Sequence, residues 1–123
     1  MADTGEVAGV DVAAVDGHGA IWSYGGEQLN ATLLRWAPGH VVEEHVNDER
    51  DVLVVGIDGA GEVVIDEDVR PLGPGIVVVV PRGARRALRA STGGVAYLTA
   101  HLARGPLQVM RGGAPDGAVP SAS

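Results

Sequence analysis

An all-β domain is what the chain predicts, on three observations. The apolar runs are short and rich in Val, Gly/Pro and Asp/Gly turns punctuate them at close spacing, and no stretch carries the apolar stripe or the caps of an amphipathic helix. Val suits a strand because its branched Cβ is stiff in a helix and packs well on a pleated surface. At 123 residues there is material for one domain with one core. Hydrophobic residues make up 46% and aromatics 3%, with Phe absent, so that core is built from Val, Leu, Ile and Ala. Many short strands joined by tight turns describe a small barrel or sandwich.

The elements follow in order. Residues 6–15 are Ala- and Val-rich without a helical stripe, which predicts an N-terminal strand, and Asp16-Gly17-His18-Gly19 is turn chemistry. Strands are expected over 20–24 and 29–36, the second with Leu29, Ala31 and Leu33 on one face and Asn30, Thr32 and Leu34 on the other. Pro38-Gly39 ends it. Strands 41–46 and 51–57 follow, then 62–65 between turns at Asp58–Gly61 and Asp66–Asp68, and a Pro/Gly loop over 71–75. Residues 76–80 are apolar at every position, as in a strand covered on both faces. Strands 84–90 and 95–102, separated by Ser91-Thr92-Gly93-Gly94, complete the set. The barrel with its N-terminal strand is thus expected over 1–110, and 111–123 reads as a disordered Gly/Pro/Ala/Ser tail.

Composition removes several classes of function. Sixteen acidic residues face nine basic ones, all Arg, for a net charge of −7, which suits neither nucleic acid nor an anionic membrane as partner. Arg82, Arg85, Arg86 and Arg89 form a basic cluster, but no aromatic residues are interleaved with them as a nucleic-acid surface needs. The absence of Cys excludes disulfides, zinc–thiolate sites and thiol catalysis. The opening Met-Ala-Asp-Thr-Gly-Glu lacks a basic region and an apolar core, and no apolar run approaches the ~18 residues of a membrane span, so a soluble, cytoplasmic protein is expected.

Two stretches carry specific spacing. From Gly39, the first places His45, Asn47, Asp51 and Gly59; from Gly75, the second places Pro81, Gly83 and Arg86. These resemble the two motifs of the cupin superfamily, in which Gly, five residues and His-x-His are followed by Glu and a closing Gly, and then by Gly, five residues, Pro-x-Gly, two residues and His. The resemblance covers about residues 6–108 and implies a small jelly-roll barrel, a double-stranded β-helix, with a pocket at its mouth. Glu-His-Val-Asn, Pro-Arg-Gly-Ala-Arg-Arg and Tyr-Leu-Thr-Ala-His are similar to stretches of small single-domain bacterial cupins, mostly of unassigned function. The turn residues of both motifs are present, but Asn47, Asp51 and Arg86 replace His, Glu and His at positions that converge on a metal in metal-binding cupins. Arg offers no lone pair, so no metal and no other cofactor is expected.

What the resemblance implies for the pocket is a set of candidates. His45, the one histidine at a motif position, is the candidate acid/base, Asp51 its orienter or the ion-pair partner of Arg86, and Arg86 the group that meets negative charge. Asn47, Arg86, Tyr97 and His101 are the candidate substrate-binding residues, since Tyr97, Thr99 and His101 share a face of the last strand. Trp22, Tyr24, Trp36 and Tyr97 suit either core or pocket wall, and His18 and His40 sit in turns. Three functions fit. One is a metal-independent isomerase, cyclase or decarboxylase moving a proton on a small carbonyl or carboxylate compound; another is a non-catalytic binding or sensor protein with the same pocket. The third is a metal-dependent oxygenase or isomerase using His45, Asp51 and His101. The expected ligand is anionic or enolisable; a lone barrel cannot cover both faces of strand 76–80, so the second face is expected to meet the N-terminal strand or a second copy, and a homodimer is expected.

Overall fold

The computed structural model describes residues 7–103. Among them run a short 3-10 turn (Val12–Ala14) and the strands β1 (Gly19–Gly25), β2 (Leu29–Trp36), β3 (Val41–Val46), β4 (Val52–Ile65), β5 (Asp68–Leu72), β6 (Val77–Val80) and β7 (Arg85–Leu102), every pairing antiparallel. No described helix is long and apolar enough to cross a membrane. The expected tail over 111–123 lies outside the described residues.

Two long strands make the barrel. The second half of β7 pairs with β2 (Trp36↔Val95 to Leu29↔Leu102) and with the first half of β4, which in turn carries β6. The first half of β7 pairs with β3 and with the second half of β4, which carries β5. One layer is therefore β1-β2-β7-β4-β6 and the other β3-β7-β4-β5, and the core cluster draws Val52, Val54 and Tyr97 from the first and Val63, Leu72 and Leu88 from the second.

The sequence reads each long strand as two, with turns at Asp58–Gly61 and Ser91–Gly94; both remain continuous. Bulges between Gly56 and Asp58 and between Gly59 and Gly61 bend β4 without breaking its ladder. At the corner Gly59 has φ +71° and Gly94 φ +83°, and a Cβ on Gly59 would lie 2.2 Å from the Gly94 carbonyl oxygen. Only Gly permits that approach.

Three further expectations are corrected. β5 (68–72) was not expected: it takes Asp68 from the expected turn and Pro71 and Leu72 from the expected loop over 71–75. Its Pro71 is tolerated because β5 is an edge strand and needs no ladder donor there. The N-terminal strand over 6–15 does not form in its described part, which holds only the 3-10 turn, capped by the Asp11 carboxylate accepting from the Ala13 N–H at 3.1 Å. Arg35 donates to the Val12 and Val15 carbonyls and so ties this segment to the outer face of β2, the face on which Leu33 has no exposure. The N-terminal segment thus does not cover β6. Val78 and Val80 pack inward, whereas Val77 and Val79 are 58% and 56% exposed on the other face.

The corner yields a test. Gly59→Ala should lower unfolding stability by about 2 kcal/mol or more, from the left-handed backbone and the carbonyl clash. Gly93→Ala, whose added Cβ meets nothing within 4 Å, should stay within about 0.5 kcal/mol. Urea titrations of the two variants measure the difference.

Candidate ligand-binding site

Between the layers lies a cavity of about 240 Å³. Residues at alternate positions supply its wall: Thr32, Leu34 and Trp36 from β2, and Tyr97, Thr99 and His101 from β7. Val42 and His45 of β3 both face it although three residues apart, because a bulge between them breaks the alternation. Thr32 and Thr99, opposite one another in the ladder, carry no motif; only the period-two pattern that groups them with Leu34 and Tyr97 signals them.

Arg86 is the cavity's charge. It sits directly across the ladder from His45, and its Nη2 donates to His45 Nε2 at 2.6 Å. A guanidinium has no lone pair, so Nε2 must accept, which makes this imidazole neutral with its proton on Nδ1, 3.4 Å from the Glu43 carbonyl oxygen. The other terminal nitrogen, Nη1, is buried without a hydrogen-bond partner. Among the described residues no carboxylate pairs with Arg86, and burial holds its pKa below the usual guanidinium value. Tyr97 Oη accepts the Trp36 indole N–H at 2.8 Å; burial pushes the phenol pKa up, against smaller opposing effects of that bond and of the Arg86 charge. His40, exposed in its turn, stacks on the Trp36 ring, centroids 4.2 Å apart and nearly parallel.

Asp51 and Asn47 are not where the motif reading puts them. Parity on β4 is opposite to expectation: Val52 and Val54 point inward, and Asp51 and Leu53 are exposed. Asp51 accepts the Arg82 N–H at 2.9 Å, so it neither pairs with Arg86 nor orients His45. Asn47 is buried, with its Oδ1 taking the N–H groups of Glu49 and Arg50 at 3.0 and 3.1 Å and its carbonyl taking the Gly83 N–H at 2.8 Å. Both residues therefore fasten the loop 47–51 to the loop 81–83 instead of lining the cavity. His101 does line it, with Nδ1 donating to the Leu102 carbonyl at 3.0 Å. Arg85 and Arg89 face outward as the alternation requires and form half-exposed ion pairs with Asp66 and Glu62.

This donor set does not fit a metal ion. Asn47 Oδ1 is taken by two backbone donors, Asp51 lies off the cavity, Arg86 cannot ligate, and His45 Nε2 is engaged by Arg86. Among the described residues no three His, Cys, Asp or Glu side chains are grouped to hold an ion, so the set His45, Asp51 and His101 does not assemble.

A two-layered antiparallel barrel with a small cavity between its layers, lined in part by His45 and Arg86 of two Gly-bounded motifs, defines a jelly-roll pocket protein. The cupin-domain family model matches residues 32–101, more than half of the chain, and the chain belongs to that family. No curated protein matches it. Among solved structures it is similar to the cupin domain of Schizosaccharomyces pombe Cnp3, at 18% identity over 90% of this chain and 84% of that one, TM-score 0.73. It is also similar to KdgF from a Halomonas species, at 21% identity over 69% and 77%, TM-score 0.62. The Bacillus subtilis oxalate decarboxylase, described with Mn(II) centres, aligns at 22% identity over 63% of this chain and 22% of its own, TM-score 0.59. At these identities the likeness is one of fold.

Double-mutant cycles separate the pairs. His45→Ala with Arg86→Ala should show a coupling of at least about 0.5 kcal/mol, and Asp51→Ala with Arg86→Ala should be additive within about 0.5 kcal/mol. Tyr97 adds a pH signature. Its folded pKa is raised, so the unfolded phenol ionises first, and this contribution to stability is intact below about pH 10 and lost as pH rises further. Tyr97→Phe should flatten that alkaline decline in urea midpoints.

Proposed function

We propose that this cupin binds a small anion seated on Arg86. One observation carries the reading: a half-buried guanidinium in a largely apolar cavity, its Nη1 buried and unpartnered, with no carboxylate among the described residues to balance it. A charge desolvated without a counter-ion is destabilising, and a ligand that supplies the counter-ion recovers that cost on binding. The fork geometry of Arg favours a carboxylate or enolate oxygen pair. Arg86→Met, close in volume and uncharged, should therefore leave the free protein equally stable or up to about 1 kcal/mol more stable while anion binding is lost. Thermal unfolding and calorimetric titration read the two effects; a variant that is strongly destabilised and still binds would refute the assignment.

The His45–Arg86 contact favours a second reading, proton transfer by a metal-independent isomerase, cyclase or decarboxylase. A bound anion that takes over the Arg86 donors frees the Nε2 lone pair of His45 beside the ligand, where it can accept a proton from carbon next to a carbonyl. His45 would act without a carboxylate orienter. The distinction from simple binding is turnover: α-proton exchange of a bound carboxylate in D₂O, lost in His45→Gln with binding retained, supports the enzyme, and saturable binding without exchange supports the sensor or carrier.

The exposed Val77 and Val79, with Leu53 opposite Val79 in the ladder, support a homodimer through the outer face of β6 and β4. Light scattering should give twice the 12.5 kDa chain mass, and Val79→Asp should return the mass of one chain.

A further inference from the structure

The donors around the cavity also restrict the kind of anion, an inference that rests on Arg86 being the anion's seat. Tyr97 is the second anchor. Its oxygen already accepts from Trp36, and among the described residues no group accepts its own hydroxyl proton. The phenol is buried and lines the same cavity as Arg86, from the opposite layer, near enough for the guanidinium charge to act on it. A carboxylate drawn to Nη1 of Arg86 can thus take a second hydrogen bond from the Tyr97 hydroxyl of the same cavity.

Most of the remaining wall is hydrocarbon, with Leu34, Val42, Val54, Val63 and Leu88 supplying it. Among the described residues no second cation lines the cavity to balance a second negative charge, since His45 presents a lone pair to Arg86 and Arg85 and Arg89 are paired outside. Thr32, Thr99 and His101 offer the remaining polar contacts, too few for a polyol. At about 240 Å³ the space is below the ~300–1,000 Å³ of sites for drug-sized ligands. We propose that the cavity takes a compact monocarboxylic acid with a branched or cyclic hydrocarbon body, its carboxylate shared by Arg86 Nη1 and the Tyr97 hydroxyl, with Trp36 as the positioning residue that aims that hydroxyl. Sugar acids would bury hydroxyls against Val and Leu without partners, and inorganic phosphate would bring charge that Arg86 alone does not balance.

Calorimetric titration of the full chain with four probes tests this: 3-methylbutanoate, 3-methylbutanamide, gluconate and inorganic phosphate. The carboxylate should saturate the site, the isosteric amide should bind at least ~10-fold more weakly, and gluconate and phosphate should show no saturable binding. Tyr97→Phe should weaken 3-methylbutanoate ~10-fold, and Trp36→Phe, which also alters the cavity wall, should weaken the carboxylate more than the amide and so shrink the carboxylate-over-amide ratio, which a Trp acting only as wall would not do. Gluconate or phosphate binding as tightly as 3-methylbutanoate, and lost in Arg86→Gln, overturns the hydrocarbon class but leaves Arg86 as the anion's seat. Acid and amide binding equally, or binding that survives Arg86→Gln, overturns that seat itself. Unchanged affinity in Tyr97→Phe removes the second anchor, and no saturable binding by any probe overturns both the class and the reading beneath it.

Discussion

Two strands too long for one flat sheet set the shape of this protein. β4 and β7, of 14 and 18 residues, stay paired with each other along almost their whole length and turn a corner together. The bend is possible because glycines meet at the corner, where a side chain on Gly59 would collide with the Gly94 backbone. Everything else follows from that bend. It creates two layers from one ladder, places the apolar faces of both halves against each other, and brings Arg86 and Tyr97, eleven positions apart on one strand, to opposite walls of one cavity.

The two motif loops show how a binding site can change its chemistry without losing its frame. The glycines at 39, 59, 75 and 83 all have positive φ, so their conformations demand glycine whatever the pocket holds. The side chains between them are free of that demand. Asn47 and Asp51 turn away from the cavity and satisfy backbone N–H groups in and between the loops, and the remaining motif positions, His45 and Arg86, bond to each other. The result is a site with one fixed charge and few directed polar groups.

Much of the fold was legible because period-two alternation and Gly/Pro punctuation report directly on strands; β2 and β3 have the bounds the pattern gives. What was not legible has physical causes. A glycine in a bulge and a glycine in a reversing turn look the same in sequence, so β4 and β7 were each divided. Pro71 hides an edge strand, and an Ala/Val-rich start gives no sign that Arg35 holds it as irregular chain on β2. In the site, His45, Arg86, Tyr97 and His101 were recognisable as cavity residues, whereas Asp51 and Asn47 were misplaced because inward or outward direction at the head of β4 depends on the loop before it. The His45–Arg86 bond depends on a bulge that no spacing reveals.

The distribution of charge has a kinetic side. Arg70, Arg85 and Arg89 are each matched by a carboxylate on the surface, and the chain as a whole carries −7, while Arg86, with no carboxylate partner among the described residues, lines the cavity. An anion nearing the protein therefore meets repulsion first and attraction only within the cavity. Because mobile ions screen fields beyond ~8–10 Å at moderate salt but scarcely touch a desolvated contact, added salt lowers the outer barrier more than it weakens the inner hold. Entry of an anion would then quicken with ionic strength while its departure changed little, the reverse of the behaviour of a pocket that steers its ligand by surface charge.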